Sequence, residues 1–129
     1  MPPWTTFAIN PQAIDSLYLN TPTLESVDIV KLSLSRDGPN ISVQFLISLI
    51  PDKVPSKWCL KNLRGVSIAL DLVGVAGFKL NGWATTIKGS LEFSRKSNSG
   101  LFAEFKSSDV QMEVACDFLR IASVSGVNY

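Results

Sequence analysis

Asp71, Glu92, Glu104 and Glu113 sit inside alternating apolar stretches of this 129-residue chain. Paired carboxylates at a fixed separation are what a glycosidase-type acid/base site needs, so these residues come first. Each falls within a predicted strand. Asp71 is in phase with Ala69 and Val73 and opposite Leu70 and Leu72, which turns it to solvent. Charges on that side protect strands from edge-to-edge pairing, and this is the reading the positions favour. Histidine is absent. That removes Ser-His-Asp and Cys-His catalysis and histidine proton transfer together. Cys59 and Cys116, the only two cysteines, are too few soft ligands for a tetrahedral zinc site. Cys116 shares its phase with Met112 and Val114, which predicts a buried, inert thiol. Gly74-Val-Ala-Gly77 is too short for a phosphate-binding loop and reads as turn chemistry. No cofactor, no metal and no enzymatic activity are expected.

A second constellation is basic. Lys53, Lys57, Lys61 and Arg64 surround Trp58, with no acidic residue from Lys53 to Arg64. A cationic loop with an aromatic for stacking is one way to bind nucleic acid. The alternative is a solvated loop anchored by a buried Trp58, or one that meets an acidic patch on a protein. The formal net charge of +1 gives little counterion-driven attraction, so nucleic acid and membrane surfaces are disfavoured as partners. Trp58 and Trp83 are candidate interface anchors, but core packing is favoured for both. Gly82 could leave room for the Trp83 indole to lie over the backbone. Binding residues concentrate on irregular exposed segments. The Asp52–Lys61 loop and the Arg95–Ser99 hairpin tip are therefore the expected contact regions, with Asp52, Lys53, Lys57, Trp58, Lys61, Arg95 and Lys96 as the candidate partner-binding residues.

The elements that must position these residues follow from periodicity. Residues 1–9 read as an extended arm, with Trp4, Phe7 and Ile9 tucked on a sheet. Asn10 suits a helix cap and Pro11 a first helical position. Ile14, Leu17 and Tyr18 give a short apolar stripe, so one helix of about two turns is predicted. From Leu24 the period becomes two. Val30, Leu32 and Leu34 share one side of a strand, Arg36–Asn40 turns, and Ile41, Val43, Phe45, Ile47 and Leu49 share one side of the next. Further strands are predicted at Val66–Val73, Ala76–Trp83, Thr85–Phe93 and Leu101–Lys106. In the last run, Val110–Val124, the phase slips near Asp117–Leu119, which marks a bulge or break.

The result is a single domain, 1–129, that is mainly β with some α. It has about seven antiparallel strands, as a curled sheet or a sandwich, with one short N-terminal helix. An apolar fraction of 46% is enough to fill one core. The N-terminus lacks the charged and apolar regions of a secretory signal, and no apolar run reaches the roughly 18 residues of a membrane span. A cytoplasmic location with reduced thiols is expected.

Several stretches together resemble a family: Pro22-Thr-Leu-Glu-Ser-Val-Asp-Ile29, Leu34–Pro39, Pro51–Trp58 with its Lys-Trp pair, Gly82-Trp83, and the apolar C-terminal strand closing near Gly126 and Tyr129. Over about residues 10–129 the chain resembles the immunity proteins of bacterial polymorphic toxin systems, in particular the family numbered fifty. Where that family often carries a His-Asp pair, this chain has Glu25-Ser26, so no role is carried to those positions. The resemblance implies a cytosolic protein that binds and blocks one cognate toxin domain, by covering its active site or by blocking a conformational change. The near-neutral charge argues against mimicry of nucleic acid, so the implied toxin is one such as an ADP-ribosyltransferase or deaminase. The competing reading from the residues alone is a nucleic-acid-binding β-domain using the Lys53–Arg64 loop. In a titration with single-stranded DNA between about 50 and 200 mM salt, the protein is expected to lack the steep salt dependence that multiple phosphate contacts produce.

Overall fold

The computed structural model describes residues 4–54, 63–96 and 100–127. A 3₁₀ turn, Trp4–Phe7, and one helical turn, α1 (Gln12–Asp15), precede β1 (Val27–Ser35), β2 (Asn40–Ile47), β3 (Gly65–Val73) and β4 (Gly77–Asn81). Then come β5 (Lys88–Lys96), β6 (Gly100–Ser107), β7 (Gln111–Cys116) and β8 (Phe118–Val127). All eight strands form one antiparallel sheet in the order β4-β7-β6-β5-β1-β2-β3-β8.

That order forces the sheet to double over. β3 and β4 lie six places apart, as do β7 and β8, which on a flat sheet is roughly 29 Å. Only Gly74–Ala76 joins the first pair and only Asp117 the second. At under about 3.6 Å per residue such short connections cannot cross a flat sheet, so its two ends must meet. They meet in one long ribbon. Residues 65–73 pair with 118–127, and 77–81 with 111–115, in nearly continuous antiparallel register. Across the bend the Asp117 N–H donates to the Val73 carbonyl at 2.9 Å and the Ala76 N–H to the Ala115 carbonyl at 2.8 Å. The Pro39 carbonyl of the β1–β2 turn accepts from the Gly74 and Val75 N–H groups.

The core fills the inside of this fold. Ile41, Val43, Phe45 and Ile47 of β2 meet Val66, Ile68, Leu70 and Leu72 of β3, with Leu101, Phe105, Met112 and Val114 opposite and Ile14 from the helical turn. Each large side chain buried there stabilises the fold by about 1.5–3 kcal/mol before chain entropy is subtracted.

The fold class matches expectation, and several local expectations do not. The predicted final strand is two, because the phase slip falls at Asp117, where β7 gives way to β8. A second slip occurs where β8 faces Ala69 and Leu70, which lets Val124 return to the inner face. β3 and β4 follow each other in the chain but do not pair with each other. The helix is one turn, too short to stand without the core around it. Asn10 does not cap it: its side chain donates to the Ile121 carbonyl and accepts from the Ile121 N–H, both at 2.9 Å. With the Ile9 N–H on the Leu119 carbonyl, this covers the outer edge of β8, and it leaves the Ile9 side chain 58% exposed. β2 stops at Ile47, so Leu49 is exposed. In β1 an irregularity between Ile29 and Lys31 shifts the register, so Ile29 takes the buried phase expected of Val30.

Two glycines are required by backbone geometry. Gly74 has φ +74°, and a Cβ there would strike the Asp117 carboxylate. Gly82 has φ +87°, and its Cβ would strike the Asp109 carbonyl. Gly82 thus admits the neighbouring backbone at Asp109. Gly74→Ala and Gly82→Ala are each expected to destabilise the protein by at least about 1–2 kcal/mol. Gly82→Ala should be the worse of the two, because a backbone carbonyl cannot rotate away as a carboxylate can. Urea unfolding of both variants checks this.

Candidate partner-binding surface

The described ends of the expected contact segments, at Asp52–Lys53 and Arg95, lie against the N-terminal part of the chain. After β2 the chain runs past α1: the Tyr18 hydroxyl donates to the Leu49 carbonyl at 2.7 Å, and the Lys53 N–H to the Leu17 carbonyl at 3.0 Å. Asp52 accepts from the Leu19 N–H at 2.7 Å. Its carboxylate therefore satisfies a backbone donor just beyond the helical turn, a structural duty that leaves less of it for a partner. Lys53 is exposed. Lys57, Trp58 and Lys61 lie outside the described residues, as does Cys59.

Arg95 and Lys96 are not on a hairpin tip. β5 and β6 stay paired out to Lys96 and Gly100, so both residues belong to the strand. Arg95 lies in the inward phase at the end of β5, opposite buried Leu101. Its guanidinium sits over the Phe7 ring, 5.6 Å from the centroid, a cation–π contact that fastens the 3₁₀ turn. Trp4 completes this clamp, with its ring 6.2 Å from Phe93 and its indole N–H donating to the Pro22 carbonyl at 3.0 Å. The Lys96 side chain lies outside the described residues. Asp52 and Lys53 thus lie against residues 17–19 and Arg95 against Phe7. The described residues do not gather them into one site.

The strand carboxylates face outward, as expected. Asp71 accepts from Ser42 Oγ at 2.8 Å and pairs with Arg120 at 2.5 Å across β2, β3 and β8. Glu92, Glu104 and Glu113 stand directly opposite one another on β5, β6 and β7, with Lys79 of β4 next in the row. Like charges so placed disfavour the sheet slightly. Lys106 relieves the row through an ion pair with Glu104 at 3.0 Å; the hydrogen bond to Glu104 leads the causes that raise the Lys106 pKa. These acids lie on the face of the sheet opposite the core. Among the described residues no three of His, Cys, Asp and Glu are grouped to hold a metal. Cys116 is a free, buried thiol, pushed up to about 11 by burial first and then by the charge of Asp117.

The feature that sequence reasoning missed lies on β1. Trp83 is 54% exposed, not in the core, and Val30 and Leu34 are 49% and 60% exposed. Trp83 and Val30 line a cavity of about 250 Å³ between Asp28–Val30 and Trp83–Ile87.

A model of the family described as Immunity protein 50 matches residues 10–127. No curated protein and no solved structure gives a significant match.

Tyr18 supplies a pH test of this region. Burial, and secondarily the charge of Asp52, push its hydroxyl from 10 up to about 12. The fold favours the neutral phenol, while the unfolded chain ionises near 10. Stability is therefore retained below pH 10 and falls as the pH rises through 12. Tyr18→Phe is expected to be less stable at pH 8, for want of the bond to Leu49, but to lose less between pH 9 and 12. Urea midpoints across that range check it.

Proposed function

Because the chain belongs to the Immunity protein 50 family, and is therefore an immunity protein of a toxin system, we propose that it binds and neutralises one cognate toxin domain. The match across residues 10–127 carries this reading. The protein acts as one domain by surface contact, without turnover of its own, in the cytoplasm where the toxin would act. Among the described residues Asp71 and Glu104 are paired with Arg120 and Lys106, Glu92 and Glu113 stand in the same outward row as Glu104, and the Cys116 thiol is buried, which agrees with such a role. Blocking follows either from covering the toxin active site or from holding the toxin in an inactive conformation. An interface of ordinary size would bury about 800 Å² on each partner.

Nucleic-acid binding through the Lys53–Arg64 loop is the competing reading. Lys53 and Arg64 at its two ends are exposed, but a net charge of +1 gives little counterion-driven attraction to phosphates.

Co-expression with the toxin domain encoded immediately upstream is the direct test. Cells making both proteins are expected to grow where cells making the toxin alone do not, and the two proteins should copurify as a complex. Continued toxicity together with no complex would overturn the proposal.

A further inference from the structure

β1 is a nine-residue strand with unequal neighbours. β2 pairs with it from Asp28 to Ser35. On the other side β5 pairs only with Val27 and Asp28, and the Ile29 N–H still reaches the Ile87 carbonyl at 2.8 Å. Beyond that point the segment 82–87 departs. Among the described residues no backbone hydrogen bond reaches Val30–Ser35 from that side. The strand therefore presents a row of free N–H and C=O groups along one edge, which another extended chain can satisfy in register.

Apolar and polar side chains alternate beside this edge, with Lys31, Ser33 and Ser35 between Val30, Leu32 and Leu34. The irregularity at Ile29/Lys31 turns Val30 out of the core phase and sets it next to Trp83 at the cavity. Leu34 stands exposed farther along. At about 250 Å³ the cavity is below the roughly 300–1,000 Å³ of small-molecule sites and suits a single side chain.

Resting on the reading of the chain as a toxin binder, we propose that an extended segment of the toxin adds to the outer edge of β1 as a ninth strand. It seats one side chain in the cavity between Val30 and Trp83, whose lining also includes Asp28, Thr85 and Thr86. Main-chain hydrogen bonds to Val30–Ser35 supply the affinity, and the cavity supplies the choice of partner. A second copy of this chain has few registers in which to pair with this edge. Centred on Leu32, a two-fold antiparallel pairing sets Leu34 opposite Val30 and Ser35 opposite Ile29. Centred farther along, as far as Leu34, it brings a residue of the Arg36-Asp37-Gly38-Pro39 turn opposite Ile29, where the turn cannot extend the strand, whereas an extended segment of another protein is not so restricted.

Hydrogen exchange on the complex with a catalytically silenced form of the upstream-encoded toxin domain tests this. Amides of Val30–Ser35 are expected to exchange roughly tenfold more slowly or better in the complex, while those of Gly77–Asn81, on the open edge of β4, stay unchanged. Leu34→Asp and Trp83→Ala, both at exposed positions, should weaken binding by roughly tenfold or more and leave the unfolding midpoint in place. Lys53→Glu should change affinity by less. A complex that forms without protection at Val30–Ser35, or that tolerates both variants, overturns the strand-addition proposal and leaves toxin binding standing. Failure of the folded chain to form any complex overturns both. A homodimer that dissociates on Leu34→Asp assigns the edge to a second copy and likewise overturns the proposal.

Discussion

The bent ribbon formed by residues 65–81 and 111–127 is the constraint on which the rest of the molecule depends. A sheet of eight strands laid flat would separate its two ends by far more than three residues can bridge. The ribbon belongs to both ends at once, so the sheet closes over its own apolar face. Gly74 makes the bend sterically possible, with φ +74° and no side chain to meet Asp117. The hydrogen bonds of Asp117 and Ala76 carry the ladder across the corner, so few buried backbone groups are left unpaired there. Phe45, Phe105 and Leu119 are fully buried because of that closure.

Closure explains the N-terminal segment as well. One flank of the folded sheet leaves the edge of β8 bare. Asn10 clasps Ile121 and Ile9 pairs with Leu119, so the arm covers that edge. Arg95 and Trp4 hold the start of the arm, and Tyr18 and Asp52 hold its end. Residues that looked available for a partner are engaged in this fastening. Among the described residues nothing pairs with the edge of β1 beyond Ile29 in the same way. The same chain thus protects one strand edge and leaves another open beside Trp83. That asymmetry is the structural content behind an interaction role.

The family assignment and the structure bear on different questions. The match over residues 10–127 states the class of system in which the chain works. The sheet shows what kind of surface it offers: broad, mostly small and polar side chains on the outer face of β2, β3 and β8, an acidic row across β5, β6 and β7, and an open strand edge at β1 beside Val30 and Trp83. A protein that works by contact needs such a rigid framework more than it needs reactive groups, because binding energy is lost when surfaces must be ordered on association.

The sequence by itself determined that the chain is β-rich, that Asp71, Glu92, Glu104 and Glu113 face outward, that Cys116 is buried, and that the phase breaks near Asp117. These are local matters. Alternation with a period of two reports which side chains share a face, and a slip in that alternation reports an interruption. Only the tertiary structure decided how strands distant in the chain are paired, because hydrogen bonding between backbones carries no residue-specific mark in a run such as Val66–Val73. It decided that Val75 and Asp117 mark a corner and not a hairpin, since turn-forming residues serve either purpose. It also decided the exposure of Trp83 and Val30 and the engagement of Asp52 and Arg95. Burial and pairing there depend on which segments come to lie beside them in space, and neighbours in the sequence do not specify that.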